Sequence, residues 1–416
     1  MRYDVVLIGG GLSALVCGIT LQKAGKRCLM VSAGQNALHF SSGSFGLLGR
    51  LPNGKEVTEP IAAVHKLGPE HPYSKIGDER VMEYAKRTPQ FFADCGIELK
   101  GNRNSNMYRL TPAGTLMPCW LALKDTATFL GRDERIVGKV LVVNFAGYLD
   151  FNTAFLVEGL EKMGASVSRT VAVKLPEVER LRQNPSEMRS VNIARVMDRE
   201  ENWKAFAKEV SDLLRGEEHV VLPEVFGLAD PVVADWLREM ISAELLFVGT
   251  MPPSVPGIRM QMLLKKAFVS AGGTFLMGDE VLPSAISGGG VQYIRTANLG
   301  DIRLEADHFV LATGHFFGMG LSASPAEVRE TVFGLEVDYP ADRNDWYDKD
   351  FFARQEYLGF GVKTDADFHP FKDGGKVGNL FVIGAEAGGC NPLFEGCGGG
   401  VAIMTAFKAA DVILNG

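Results

Sequence analysis

The residues best placed to do chemistry stand at the start of the chain. Gly9, Gly10, Gly11, Leu12, Ser13 and Ala14 form a G-x-G-x-x-A turn. It follows an apolar run, Asp4 to Ile8, and precedes Leu12, Leu15, Val16 and Ile19, which repeat at i, i+3, i+4 and i+7. Strand, glycine turn and helix in that order offer an anion free backbone N–H groups and the positive end of a helix dipole. Gly9 permits the tight turn, Gly11 lets a phosphate approach with no Cβ in the way, and Ala14 lets helix and strand pack closely. A nucleotide or flavin phosphate suits this spacing; a bare glycine turn is the alternative.

Two later segments add to it. "FVLATGHF" (309–316) is a buried strand that runs into Ala312, Thr313 and Gly314, a pattern by which a chain passes a bound cofactor a second time. The closing stretch, 381–414, holds a strand, Gly384, a glycine-rich turn and three glycines, Gly398, Gly399 and Gly400, at the head of a helix. Ile403, Ala406, Phe407, Ala410 and Leu414 step by three and four and mark that helix's buried stripe. A flat ring can rest on such backbone, where the dipole favours a reduced, anionic flavin. A hinge that merely lets the last helix pack is the alternative. The second strand, by contrast, ends at Val31, Ser32 and Ala33. It lacks the Asp or Glu with which dinucleotide folds grip a ribose.

Chemistry beside such a cofactor turn calls for a base to take a proton, and an anionic group calls for Arg or Lys. His315, after the Thr-Gly turn, is the candidate base. Arg189, Arg195 and Arg259 are candidate anion clamps, although an Arg on a charged helix is more often a solvated surface group. Glu386 and Glu395 flank the last glycine turn and can bond backbone N–H groups there. None of the six cysteines forms a Cys-x-x-Cys pair. Cys390 and Cys397 read as packing residues, and no metal site is expected.

The elements that must position these groups follow from pattern and length. The chain has 416 residues, too many for one small core. A formal charge of −7 argues against nucleic acid as the main partner, because no basic surplus exists to neutralise phosphates. No run approaches the ~20 apolar residues of a membrane span. Strands are expected near 27–31, 139–147, 166–173 and 379–384, strands ending in loops at 220–228 and 245–257, and helices near 80–94, 151–163 and 258–270. The stretch 176–220 is charged and helical. The expected fold is α/β: a Rossmann-like domain with a parallel sheet, discontinuous in sequence over residues 1–60, 255–320 and 375–416. Residues 61–254 and 321–374 are expected to form inserted α+β substrate or cap regions.

The three glycine segments together resemble the glutathione-reductase-like flavoproteins, above all the succinate dehydrogenase and fumarate reductase branch. "ALHFSSGSFGLL" (37–48) falls where those proteins pass a hydroxyl- and glycine-rich loop under the flavin, so Ser41, Ser42, Gly43 and Ser44 are candidate cofactor contacts. His39 lies near the point of covalent flavin attachment in some of them. "EHPYS" (70–74), "RSVNIARVMDREENW" (189–203), "FGLAD" (226–230), "MPPSVPGIRMQ" (251–261) and "EGCGGGVA" (395–402) extend the resemblance to the B subunits of anaerobic glycerol-3-phosphate dehydrogenases. That resemblance implies FMN, with FAD as the alternative. FMN lacks the adenosine side, so a strand ending in Ser32 suffices for it. It further implies oxidation of glycerol 3-phosphate, a sister catalytic flavoprotein subunit, a membrane-anchoring iron–sulfur subunit, and electrons passed to a quinone. The expected location is peripheral, on the cytoplasmic side of the inner membrane. A stand-alone FAD oxidoreductase and a flavin-free scaffold subunit are the competing readings.

Overall fold

The computed structural model describes every residue except Arg103, which falls in the polar stretch 101–106, and of Pro185 only the backbone. The elements that matter are, in chain order, β1 (Arg2–Ile8), α1 (Leu12–Lys23), β2 (Cys28–Ser32), β3 (Ser44–Phe45), β4 (Leu99–Gly101), β5 (Met107–Leu110), β6 (Leu116–Cys119), β7 (Leu121–Leu123) and β8 (Thr128–Phe129). There follow β9 (Lys139–Phe145), β10 (Ser166–Val173), β11 (His219–Pro223), β12 (Glu244–Val248), α2 (Val255–Ser270), β13 (Thr274–Met277), β14 (Glu305–Leu311), β15 (Leu380–Val382) and α3 (Gly398–Asn415).

A five-stranded sheet in the order β13-β2-β1-β14-β15 holds the first, middle and last parts of the chain together. Every pairing in it is parallel. Val5, Val6 and Leu7 are fully buried, as a nearly continuous apolar run demands when both faces of a sheet are covered. α1 packs against α3 and α2. Gly25, with φ +89°, follows α1 in the left-handed conformation that ends helices. On α3, Ile403, Ala406, Phe407 and Ala410 are buried as expected, but Leu414 is 36% exposed. Leu414 lies off the stripe, which Ile413, 2% exposed, continues.

A second sheet, β10-β9-β11-β12, is also wholly parallel and carries its own apolar core. Strand β11 stops at Pro223, whose ring offers no N–H to continue a ladder. Residues 224–228 run on as a loop, as expected for the end of 220–228. Two small antiparallel sheets, β3-β7-β4 and β6-β5-β8, adjoin the second sheet, β3 coming from residues 1–60, and short two-stranded antiparallel ladders lie around 321–376. No helix among the described residues is long and apolar enough to cross a membrane.

Candidate functional site

Parallel register decides where the glycine segments fall. Ile8 pairs with Val31 on one side and Leu311 on the other, and Leu311 pairs with Val382. The strands therefore end level, and the next residues of each, Gly9, Ser32, Ala312 and Ile383, emerge side by side. That edge of a parallel sheet is where ligands of such folds bind.

At this edge Gly9 has φ +115°, and a Cβ there would lie 2.2 Å from the Ala312 carbonyl oxygen. A Cβ at Gly10 would lie 2.4 Å from Ser32 Oγ. Gly11 differs: its nearest neighbour would be Asn36 Cβ at 4.0 Å. Gly11 also caps α1 with no side chain bonded to the helix's first N–H groups. An anion approaching Leu12, Ser13 and Ala14 thus meets idle donors and no side chain at Gly11. Asn36 steadies the turn, donating from Nδ2 to the Gly10 carbonyl (2.8 Å). The Ser32 hydroxyl bonds the Gly34 carbonyl (3.3 Å).

The middle and closing segments meet the same edge. Gly384 has φ +75°, and a Cβ there would sit 2.7 Å from Ser13 Oγ, so the first and last turns touch. Glu386 is fully buried and accepts from the N–H (2.9 Å) and hydroxyl (2.6 Å) of Thr313. Its other oxygen, Oε1, has no hydrogen-bond partner among the described residues. Burial, and then the nearby Glu330 carboxyl, push its pKa up to about 8. A neutral carboxyl with an idle oxygen, beside open helix N–H groups, makes a polar cradle. The polyhydroxy, phosphorylated tail of a flavin fits that donor and acceptor set.

The serine loop lies close by and is tightly stitched. Ser42 and Ser44 hydroxyls bond each other (2.9 Å), and the Gly43 N–H donates to Ser41 Oγ (3.3 Å). Gly43 presses on Pro256 and Leu123, and the Gly400 N–H donates to the Gly46 carbonyl (2.8 Å). Gly399 faces Phe45, and Gly400 faces Tyr73 and Leu47 at distances no Cβ tolerates. These glycines serve close chain packing at the head of α3. His39 is half-buried, and its Nδ1 has no partner.

The candidate catalytic groups fall in different places. Half-buried His315 stands two residues beyond Thr313, with Nε2 3.0 Å from the Phe360 carbonyl. A carbonyl only accepts, so the ring proton sits on Nε2 and Nδ1 keeps a lone pair. Burial lowers its pKa, so the imidazole is neutral near pH 7. Arg259 is buried, and its guanidinium donates to the carbonyls of Gly227 (2.9 Å) and Phe226 (3.4 Å). Arg195 is exposed and reaches only Asn192 (3.2 Å); Arg189 pairs with Asp150 (3.2 Å). Neither helix arginine lies in the glycine cradle's hydrogen-bond network.

Buried His71, Cys390 and Cys397 place their donor atoms within 4.8 Å of one another, a cluster that their distance along the chain conceals. His71 Nδ1 accepts the Tyr73 N–H (3.1 Å), and Nε2 faces Glu395 (3.2 Å). Both ring nitrogens are thereby engaged. The adjoining Cys390 thiol and burial hold Cys397 well above the usual thiol range.

The sequence matches a family described as FAD binding domain over residues 4–401. The B subunit of anaerobic glycerol-3-phosphate dehydrogenase from Pectobacterium atrosepticum is 40% identical over 418 residues, covering 100% of this chain and 99% of that one. The protein of the same name from Yersinia enterocolitica is 41% identical over 419 residues, again covering 100% and 99%. Among solved structures, 3-ketosteroid delta1-dehydrogenase from Sterolibacterium denitrificans aligns with a TM-score of 0.44 at 11% identity, covering 100% of this chain and 99% of that one.

Proposed function

The chain belongs to the FAD binding domain family and to the family of anaerobic glycerol-3-phosphate dehydrogenase B subunits, and on that premise we propose that it is a flavin-bearing subunit of a glycerol-3-phosphate:quinone oxidoreductase. It oxidises glycerol 3-phosphate to dihydroxyacetone phosphate and passes the electrons toward a membrane quinone. The relatives' designation as a subunit supports further chains, here a sister catalytic flavoprotein and an iron–sulfur anchor. With no crossing helix of its own among the described residues, the chain reaches the cytoplasmic face of the membrane through those partners.

The observation that carries the reading is the meeting of the opening and closing glycine turns at Gly384 and Ser13, beside Thr313 and Glu386. Residues 1–60, 255–320 and 375–416 then form one flavin-binding domain, and the remaining residues cover it. Flavin, when bound, supplies the acceptor for the hydride that leaves the alcohol carbon. The chain's own residues do the rest. The N–H groups at the head of α1 hold the phosphate, and Glu386 bonds the ribityl hydroxyls. His315 takes the hydroxyl proton on Nδ1.

FMN is the favoured flavin, because β2 ends in Ser32 with no carboxylate for a second ribose. The family's description favours FAD as the second reading. Acid extraction and chromatography of the pigment decide between them. A flavin-reduction assay with glycerol 3-phosphate under anaerobic conditions tests the activity. A colourless native complex would reject the flavin role, and an unbleached flavin the substrate.

A further inference from the structure

The two small antiparallel sheets enclose a charged crevice that the glycine cradle does not use. Lys100 on β4 lies opposite Ala122 on β7. Arg109 on β5 lies opposite Met117 on β6 and Thr128 on β8. Opposed residues share a face, and so do residues two apart on a strand. Lys100 therefore shares the face of Ala122, and Arg109 that of Met107. Met107, Cys119 and Ala122 pack into one small buried cluster, so both cations project toward the same space. A cavity of about 390 Å³ opens beside them, lined by Lys100, Lys124, Asp125, Thr126, Thr128, Arg238 and Glu244 among others; Arg109 adjoins it through Thr128, its neighbour on β8, and Glu224 through Thr126.

The charges of this crevice do not balance locally. Arg238 is held by Asp125 (2.7 Å) and Asp235 (3.0 Å), and Lys124 by Glu98 and Asp235 (3.0 Å each). Lys100 and Arg109 have no carboxylate within ion-pair distance among the described residues, and the Arg109 guanidinium donates only to the Met117 thioether (3.7 Å). Burial lowers the pKa of both. Glu224 is a carboxyl in electrostatic reach of both cations. It is buried, and Thr126 Oγ1 donates to its Oε1 (2.9 Å), while Oε2 has no partner. Burial raises it to about 7. Desolvated cations without a counter-ion are costly, and so is an unpartnered carboxyl oxygen.

We propose that this crevice binds a small phosphorylated polyol, its phosphate on Lys100 and Arg109 and a hydroxyl on Oε2 of Glu224. A phosphate dianion takes charge-assisted bonds from both cations, and the guanidinium can bind it through two N–H groups at once. The polyol end supplies the donor that Oε2 lacks. The crevice wall is tied to the serine loop, since β7 pairs with β3 and the Leu123 N–H donates to the Gly43 carbonyl (2.9 Å). The inference deepens the functional reading, and rests on it only in taking the ligand to be the oxidised substrate.

Calorimetric titration of the flavin-loaded protein with glycerol 3-phosphate, inorganic phosphate and glycerol tests it. Glycerol 3-phosphate should bind most tightly, phosphate more weakly and glycerol not at all. Lys100→Gln and Arg109→Gln should each weaken both phosphate-bearing ligands by about tenfold or more. Flavin content and ligand-free melting temperature should stay at wild-type values, because each change removes an uncompensated charge. Glu224→Gln should narrow the preference for glycerol 3-phosphate over phosphate while leaving phosphate affinity in place. Unchanged affinities in both cation variants would overturn the site. Flavin bleaching by glycerol 3-phosphate with an unchanged KM in those variants would also overturn it, and leave the functional reading standing. Tight, Lys100-dependent binding without bleaching would uphold the site and remove the functional reading.

Discussion

At position 9 a methyl group would lie 2.2 Å from a backbone oxygen, whereas at position 11 it would meet nothing nearer than 4.0 Å. The two glycines of one turn thus fail in different ways. Gly9→Ala forces a side chain into a left-handed conformation and against Ala312, and should cost about 3 kcal/mol in urea unfolding. Gly11→Val should unfold at the wild-type urea concentration, because φ at this position is −82°, yet emerge without flavin. Stoichiometric flavin in that variant would mean that the phosphate lies elsewhere. Glu386 gives a prediction in pH. Its folded pKa, about 8, stands above the ordinary carboxyl value, so the folded chain holds a proton that the unfolded chain releases. The stability it contributes is complete below the unfolded pKa and is lost as pH rises through the folded one. The flavin-free chain should therefore lose stability between roughly pH 4.5 and 8. Glu386→Gln, which cannot titrate, should flatten that part of the melting-temperature profile. Glu330, also raised by burial, leaves a residual slope of the same sign. An unchanged slope in Glu386→Gln would show that Glu386 is ionised when folded.

Helix α3 holds the closing turn through a hydroxyl. Thr405 Oγ1 accepts the Gly384 N–H (2.9 Å) and donates to the Val401 carbonyl (2.7 Å), fixing the last turn onto the last helix. Thr405→Val keeps the shape and strands a buried N–H. Urea unfolding should show a loss of about 1–3 kcal/mol, and flavin should bind more weakly, because Gly384 is then free to shift. A loss under a few tenths would mean that water replaces the hydroxyl. Thr405 also shows how far the sequence could be read. The period of α3 is written in consecutive residues, so Ile403, Ala406, Phe407 and Ala410 announce themselves. So do Gly9 to Ala14, because strand, turn and helix are neighbours in the chain. The bonds from Glu386 to Thr313 span 73 residues and depend on β14 and β15 ending level. Ser44–Phe45, hidden in a loop rich in Ser and Gly, becomes a strand only because Leu121 and Ala122 arrive to pair with it. Lys100 and Arg109 carry no motif; two separate hairpin registers aim them at one space. Local pattern thus revealed many of the elements and the opening glycine turn, while the acid, the thiol cluster and the cationic crevice needed long-range pairing.

Across the whole molecule, the cradle is assembled from segments near residues 9–14, 32–46, 313–315 and 384–386, and no unbroken stretch of chain contains it. Each segment is held by the five-stranded sheet or by α3, so a ligand that bridges them resists global unfolding and not merely one loop's opening. Binding to the folded state alone should raise unfolding stability by about 2.7 kcal/mol when free flavin is roughly 100 times its Kd. Hydrogen exchange distinguishes the closed cradle from a simple phosphate clamp. If the opening and closing turns embrace one ligand, adding flavin to the stripped chain should slow exchange at residues 9–14, 313–315 and 384–386 together, with the same dependence on flavin concentration. Thr405→Val should loosen all three at once, because the closing turn can no longer keep its place against Ser13. Protection confined to residues 9–14 would mean that the phosphate is held at the head of α1 alone. The closing turn would then serve packing, as Gly399 and Gly400 do against Phe45, Leu47 and Tyr73.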